Sequence, residues 1–346
     1  MHVDQILWNP RFTHQLVRDR VFQDDAVAVV DVGMRGGAHE HWKLLGDQVR
    51  FIGFDPDEEE CRRINESSSR TQSICYPVAL DSAPQRRKLL RRPYNHAADG
   101  LCRYTWWSSR LGLMEPHEIT DFRIDQPGTA EVADAVEIET TTLDQFARDI
   151  GLKTFDFLKV SAVGAELDVL RGAERFLGPD GALGIEAELR LLPTYDRPNP
   201  VFLEVYNYLH SRGYYLYNVS LHRLSRKALP MPVASDHRDH LGEPILGPTT
   251  RGQLDYGDAV FFRDLVSDRF DPKTANDVRR VLKAASLFEI YNLPDCAAEL
   301  LLYYRAALAS LASVDDLLAQ LVPDEFGRAV SLQEYLSIYR DRAGRI

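Results

Sequence analysis

Apolar residues fall along the chain in two alternating rhythms. Short runs of four to eight residues are separated by stretches in which apolar positions recur at helical spacing. The first run, Ala26 to Val32, is rich in valine and suits a strand buried on both faces of a parallel sheet. A helix is expected over Ala38 to Gly46 and a second strand over Val49 to Phe54. Glu58 to Asn65 reads as a helix and Ser73 to Leu80 as a strand, with Pro77 near the strand's end. The arginine-rich stretch Arg86 to Arg92 is expected to continue as an outer strand. Val136 to Thr140 alternates as a strand, and Thr142 is the expected N-cap of a helix that stops at Gly151. Further strands are expected at Phe155 to Ser161, Ala182 to Ala187, Tyr214 to Val219 and Ala259 to Phe262. Helices are expected over Ala165 to Phe176 and Pro200 to Arg212. Strand and helix in alternation imply an α/β fold, a doubly wound and mainly parallel sheet.

From about Pro272 the pattern becomes helical throughout, with stripes such as Val278, Val281, Leu282 and Ala285. The expected organisation is a helical leader over residues 1–25, a Rossmann-like domain over 26–268 and a C-terminal helical extension over 269–346. The extension either packs on the main domain or makes homo-oligomer contacts. Pro93 to Gly128 has no clear period and holds Asn95, His96, Tyr104, Trp106 and Trp107. Such a segment is either a lid over substrate or a surface excursion whose tryptophans fill a local core.

Asp31 stands at the end of the first strand, and Gly33, Gly36 and Gly37 follow it at once. Asp55 stands at the end of the second strand. Doubly wound sheets bind ligands outside the carboxyl ends of their strands, and an acid after the second strand commonly takes ribose hydroxyls. The glycines let the backbone turn sharply and approach a ligand. No two glycines lie two positions apart and none precedes a lysine, so both phosphate cradles, G-x-G-x-x-G and the P-loop, are missing. A nucleoside without phosphates fits better, and S-adenosylmethionine is the common one. Asp55 would hold its ribose, and its methionine part would lie over Gly33 to Gly37.

Several stretches, in order, resemble the FkbM-type S-adenosylmethionine-dependent methyltransferases. VVDVGMRGG resembles the family's first motif, with Arg35 inside it, and FIGFDPDEEECRRIN resembles its second-strand acid with Pro56 and the following helix. YPVAL, with Ala79 and Leu80, is similar to the segment that borders the adenine. TTLDQF and FDFLKVSAVGAELDVLRGAERFL resemble the most distinctive block, and GIEAELRLLPTY and GQLDYGDAVFF the late strands. The likeness runs from about Val27 to Asp264 and implies a class I methyltransferase fold. It implies methylation of a sugar, glycan or small-metabolite hydroxyl. It also makes Asp31, Gly33, Arg35, Gly36, Gly37, Asp55, Pro56, Ala79, Leu80, Ser161 and Glu166 candidate cofactor contacts.

One departure bears on the chemistry. The family block K-I-D-x-E/Q-G-A-E reads here Lys159, Val160, Ser161, Ala162, Val163, Gly164, Ala165, Glu166. Serine replaces the acid, so either a neighbouring carboxylate compensates or the protein is a weakened or inactive relative that binds without transfer. Methyl transfer to a hydroxyl needs a proton acceptor, and the catalytic candidates are His96, Glu188 and Lys159, with Glu186 beside them. His96 is placed only by its loop, where an ordinary surface histidine is the favoured reading. Glu186 and Glu188 are assigned to opposite faces of their strand, so that one of them reaches the pocket. Glu166 either caps its own helix or joins the site. A nicotinamide enzyme is disfavoured by the missing glycine fingerprint and by the lack of a Y-x-x-x-K pair.

Composition narrows the partners. A formal net charge of -11 opposes binding to nucleic acid. The basic run Arg86, Arg87, Lys88, Arg91, Arg92 reads as a solvated face. No segment is long and apolar enough to span a membrane. Cys61, Cys75, Cys102 and Cys296 lack C-x-x-C spacing and read as free thiols, so a cytoplasmic protein is expected. His39-Glu40-His41, and His237 and His240 with Asp236 and Asp239, lack H-E-x-x-H spacing, and no metal is expected.

Overall fold

The computed structural model describes residues 6–67, 72–93, 104–108, 134–162, 164–191, 201–224, 253–309, 311, 313–323 and 330–343. Its strands are β1 Val27–Val32, β2 Val49–Phe54, β3 Gln72–Tyr76, β4 Ala79–Leu80, β5 Arg86–Pro93, β6 Tyr104–Ser108, β7 Asp134–Thr141, β8 Phe157–Val160, β9 Gly184–Arg190, β10 Tyr214–Leu224 and β11 Gln253–Arg263. Seven of them form one sheet in the order β10-β11-β9-β8-β1-β2-β3. Every residue of β1 and β8 is buried, as the near-continuous apolar runs require of central strands. β8 and β9 are parallel, and β11 lies antiparallel to β9 with Ala259 opposite Ala187. The fold is thus a doubly wound, mainly parallel α/β sheet. The strand order reverses beside β1, which puts the ligand crevice at the carboxyl ends of β1 and β8.

The helices are α1 Arg11–Arg18, α2 Glu58–Ser67, α3 Leu143–Asp149, α4 Glu166–Arg171, α5 Val201–His210, α6 Ala275–Ile290, α7 Pro294–Tyr303, α8 Arg305–Leu308, α9 Val314–Leu321 and α10 Leu332–Ala343. Thr142 caps α3 as expected, its hydroxyl accepting from the Gln145 amide at 3.0 Å. Thr274 and Asp277 close a capping box at the start of α6. Every described element after β11 is helical.

Four expectations need correction. The turn after the glycines winds as a 3-10 helix over Glu40–Leu45, with no side-chain cap at His39 and with Gly46 ending it at positive φ. The helix expected over Ala165 to Phe176 divides into α4 and a 3-10 turn, Glu174–Leu177. Gly172 sits at the break because a Cβ there would lie 2.1 Å from the Asp81 carbonyl oxygen. The expected third strand breaks at Pro77, after which the Val78 amide turns back to Tyr76 O at 2.8 Å. The strands Arg86 to Arg92 and Val136 to Thr140 do not extend the main sheet. They form a separate four-stranded sheet, order β4-β7-β5-β6, in which the basic strand β5 is internal. Within it, Arg86 and Lys88 stand in register with Glu139 and Glu137 of β7.

Contacts group the chain into two compact units. One holds Met1–Val29, Ala38–Arg50 and Arg263–Ile346, and the other holds Val30–Gly37 and Phe51–Phe262. In the first, Phe12 and Leu16 of α1 are buried, and the Leu7 amide bonds Ile290 O at 2.9 Å. The second contains all of the candidate site.

Candidate active site

The glycine turn after β1 is shaped by two different demands. Gly33 has φ +84, and a Cβ on it would stand 2.1 Å from the Ser161 carbonyl oxygen. Only glycine lets β1 and β8 end this close together, with the Ser161 amide bonded to Val32 O at 2.9 Å. Gly36 and Gly37 have φ +82 and +90, yet a Cβ on either would meet nothing within 4 Å. Their conformation opens space over the turn and leaves a backbone surface that a ligand can approach.

The loop after β2 is tied to this turn. Arg35 Nη2 lies 2.7 Å from Asp57 Oδ2 and 3.7 Å from Asp55 Oδ1. The Gly36 amide donates to Glu60 Oε1 at 2.8 Å, and Glu60 is bound in turn by Arg63. Asp55 is buried, with Oδ1 accepting the Asp57 amide at 2.9 Å. Burial pushes its carboxyl up to about 6; Arg35 opposes the shift, and Asp57 and Glu60 add to it. Pro56 follows it, half-buried. Glu60 and Asp57 are site residues that the sequence reading did not single out. Their signal was the acid run DPDEEE directly after the second strand.

A second cluster gathers around Lys159 in the middle of the sheet. Its ammonium lies 3.0 Å from Asp31 Oδ1 and donates to Gly33 O at 3.4 Å. Burial alone would push this lysine down. Asp31, then Glu186 and Glu188, outweigh burial and hold it above the ordinary lysine value. Lys159 is paired directly with Glu186 across β8 and β9. The expectation that Glu186 and Glu188 face opposite ways is wrong. Strand side chains alternate with period two, so residues two apart share a face, and both carboxylates act on Lys159. Ser161 Oγ donates to Glu188 Oε2 at 3.2 Å. The hydroxyl at the position of the missing family acid therefore holds a carboxylate from the next strand.

The remaining candidates lie elsewhere. Glu166 turns both carboxylate oxygens to the Gly164 amide, at 2.9 and 3.0 Å, and so holds the loop at the start of its own helix. Ala79 and Leu80 form β4 and pair with Thr140 and Thr141 of β7. His96 lies outside the described residues, as do Cys102, Val163 and the His237–His240 group. Among the described residues, no group of three or more His, Cys, Asp or Glu side chains could hold a metal ion. No helix among them is long and apolar enough to cross a membrane.

This arrangement fits S-adenosylmethionine on its own chemistry. Asp55 offers a buried carboxylate at the end of β2, and Gly36 and Gly37 leave open a cradle that a side chain would fill. The site end of the sheet is rich in carboxylates, which suits a cationic sulfonium and opposes a pyrophosphate.

The fold and this site define a Rossmann-like, class I type of methyltransferase. The FkbM methyltransferase domain model matches residues 32–216, just over half of the chain, and the chain belongs to that family, whose cofactor is S-adenosylmethionine. No curated protein matches it in sequence. Distant structural likenesses include a magnesium protoporphyrin IX methyltransferase from Synechocystis PCC 6803 with bound cofactor. It is 8% identical over 73% of this chain and 80% of that one, with a TM-score of 0.29. An S-adenosylmethionine-dependent methyltransferase from Aquifex aeolicus is 13% identical over 73% of this chain and 92% of that one, with a TM-score of 0.28. A TehB-like methyltransferase from Corynebacterium glutamicum is 12% identical over 72% and 88%, with a TM-score of 0.27.

Proposed function

We propose that the protein is an O-methyltransferase that acts on a hydroxyl of a sugar, glycan or small metabolite, with Glu188 as the proton acceptor and Ser161 as its positioning residue. The observation that carries this reading is the 3.2 Å hydrogen bond from Ser161 Oγ to Glu188 Oε2. It returns a carboxylate to the strand end where the family acid is missing. The acceptor class rests on the family resemblance.

S-adenosylmethionine, when bound, supplies a methyl carbon activated by a sulfonium. Asp55 would accept from the ribose hydroxyls, and the open backbone at Gly36 and Gly37 would seat the methionine part. Lys159 stays protonated and keeps Asp31 fixed. Glu188, steadied by Ser161, takes the acceptor's hydroxyl proton onto its carboxylate. Positioning and one proton transfer are the protein's share of the work.

The test is Glu188→Gln, assayed with labelled methyl donor on a panel of glycans and small hydroxylated metabolites. General-base loss should lower kcat by roughly 10²- to 10⁴-fold while cofactor affinity changes by only about 3-fold. Full activity in the variant rules out Glu188 as the base. A wild-type protein that binds the cofactor and methylates nothing on the panel supports the inactive reading that serine at position 161 also allows.

A further inference from the structure

Beneath Asp55 lies a pair of thiols that the reading above does not use. Cys61 is in the second turn of α2 and Cys75 is in β3, and both are buried at 1% and 2% exposure. Their sulfurs are 2.9 Å apart, under about 1 Å beyond a bonded S–S pair. The closeness is built in. Asn65, one turn beyond Cys61 on the same helix, grips the Cys75 backbone twice. Its Nδ2 donates to Cys75 O at 2.9 Å, and its Oδ1 accepts from Cys75 N at 2.7 Å. Cys61 Sγ also donates to the carbonyl oxygen of Asp55 at 3.4 Å. The pair therefore touches the backbone of the residue whose carboxylate is assigned to the ribose.

We propose that Cys61 and Cys75 are a disulfide-forming pair, an oxidation site whose closure loosens the cofactor acid above it. The oxidant is hydrogen peroxide. Cys61 sulfur attacks the peroxide O–O bond, which breaks to give a sulfenic acid and one water. Cys75 sulfur then attacks Cys61 sulfur, its proton and the hydroxyl leave as a second water, and the S–S bond forms. The hydrogen bond to Cys61 and burial push the Cys75 thiol up. Because neither sulfur is exposed, the oxidant enters when α2 opens from β3. α2 turns Glu58, Glu59, Arg62 and Glu66 to solvent, and such an element opens locally. Closure draws Cys61 Sγ toward Cys75 and takes its S–H from the Asp55 carbonyl. The effect on cofactor binding rests on the assignment of Asp55 to the ribose; disulfide formation does not.

The experiment treats the full chain with hydrogen peroxide and reads peptide masses after alkylation. Cofactor titrations are run before oxidation, after it, and after dithiothreitol. The expected result is a cross-linked peptide joining Cys61 to Cys75 and lighter by two hydrogens, formed in Cys296→Ser and missing in Cys61→Ser and Cys75→Ser. Oxidation should raise the unfolding temperature, weaken S-adenosylmethionine binding several-fold, and be reversed by dithiothreitol. Thiols at 61 and 75 that remain alkylatable after peroxide, or a cross-link to another cysteine, overturn the proposal. A disulfide that forms and leaves affinity unchanged overturns its link to Asp55. Reduced protein that binds no cofactor defeats the reading of the site instead, while the peptide mass and the unfolding temperature still decide the disulfide.

Discussion

Two buried carboxylates, one in each unit, are treated in opposite ways by the chain. Glu289, in the helical unit, accepts from the Phe12 amide at 3.0 Å, the Thr13 amide at 2.7 Å and the Thr13 hydroxyl at 2.7 Å. It supplies the cap that Pro10 cannot give to α1, whose N-cap position makes no side-chain hydrogen bond. Asp55, at the end of β2, takes the Asp57 amide and has Arg35 at 3.7 Å, with two further carboxylates nearby raising its pKa. Burial raises both groups, and takes Asp55 to about 6. An acid that holds the fold is served by its own chain. Asp55, the acid assigned to the ribose, is left with charge that its own surroundings do not stabilise, as groups at functional sites often are.

The sharpest way to break that comparison is to remove each carboxylate and measure stability. Glu289→Ala leaves buried donors at Phe12 and Thr13 without their acceptor, and should lower the unfolding free energy by about 3 kcal/mol. Glu289→Gln keeps an acceptor oxygen and should lower it by about 1 kcal/mol. Chemical denaturation reads both. A loss below about 0.5 kcal/mol for Glu289→Ala, the level of an ordinary surface change, would remove the structural half of the contrast.

Asp55→Ala should behave in the reverse manner. Stability should change far less than in Glu289→Ala, because a poorly stabilised charge is lost with the side chain. S-adenosylmethionine binding should weaken by roughly 1.5–3 kcal/mol, the range for hydrogen bonds to a charged group. Calorimetry measures the affinity, and circular dichroism checks the fold. An unchanged affinity in a folded variant would count against the nucleoside assignment as a whole.

What was legible in the sequence follows the range of the interactions. β2 was read to its ends, and Thr142 was found as a cap, because strand runs and caps are set by neighbours within a few residues. The glycine turn and the acid after β2 were also local, and so was the family block that exposed Ser161. The partition into two sheets was not legible. It depends on β5 pairing with β7 across about fifty residues of chain. The break after α4 was hidden for the same reason, because Gly172 yields to the distant carbonyl of Asp81. Glu289 was passed over because nothing near it in sequence shows that it caps α1. The shared face of Glu186 and Glu188 was a different failure. Period-two alternation gives it directly, and the reading went against that rule.

The smallest effect concerns pH, and it separates the two carboxylates without removing either. Asp55 has a folded-state value of about 6 against an ordinary 3.8. The fold therefore favours its protonated form, which predominates only below about pH 6. The stability it contributes is complete below about pH 4 and is lost as pH rises through about 6. Ligand binding should run the other way. Two ribose hydroxyls donate to an ionised carboxylate, so affinity for S-adenosylmethionine should rise as pH rises through about 6 and level above it. Below that point it should fall by up to about tenfold per pH unit, roughly 1.4 kcal/mol. Glu289 also rises on burial and shapes the stability curve of the whole chain, so stability alone cannot single out Asp55. Binding can, because Glu289 belongs to the helical unit and lies outside the assigned cofactor contacts. Calorimetric titrations from about pH 5 to about pH 8 should show the slope in the wild type and in Glu289→Gln, and a flat line in Asp55→Asn. If Asp55→Asn keeps the wild-type slope, the titrating group is another carboxylate, and Asp57 and Glu60 beside it become the first to exchange for their amides.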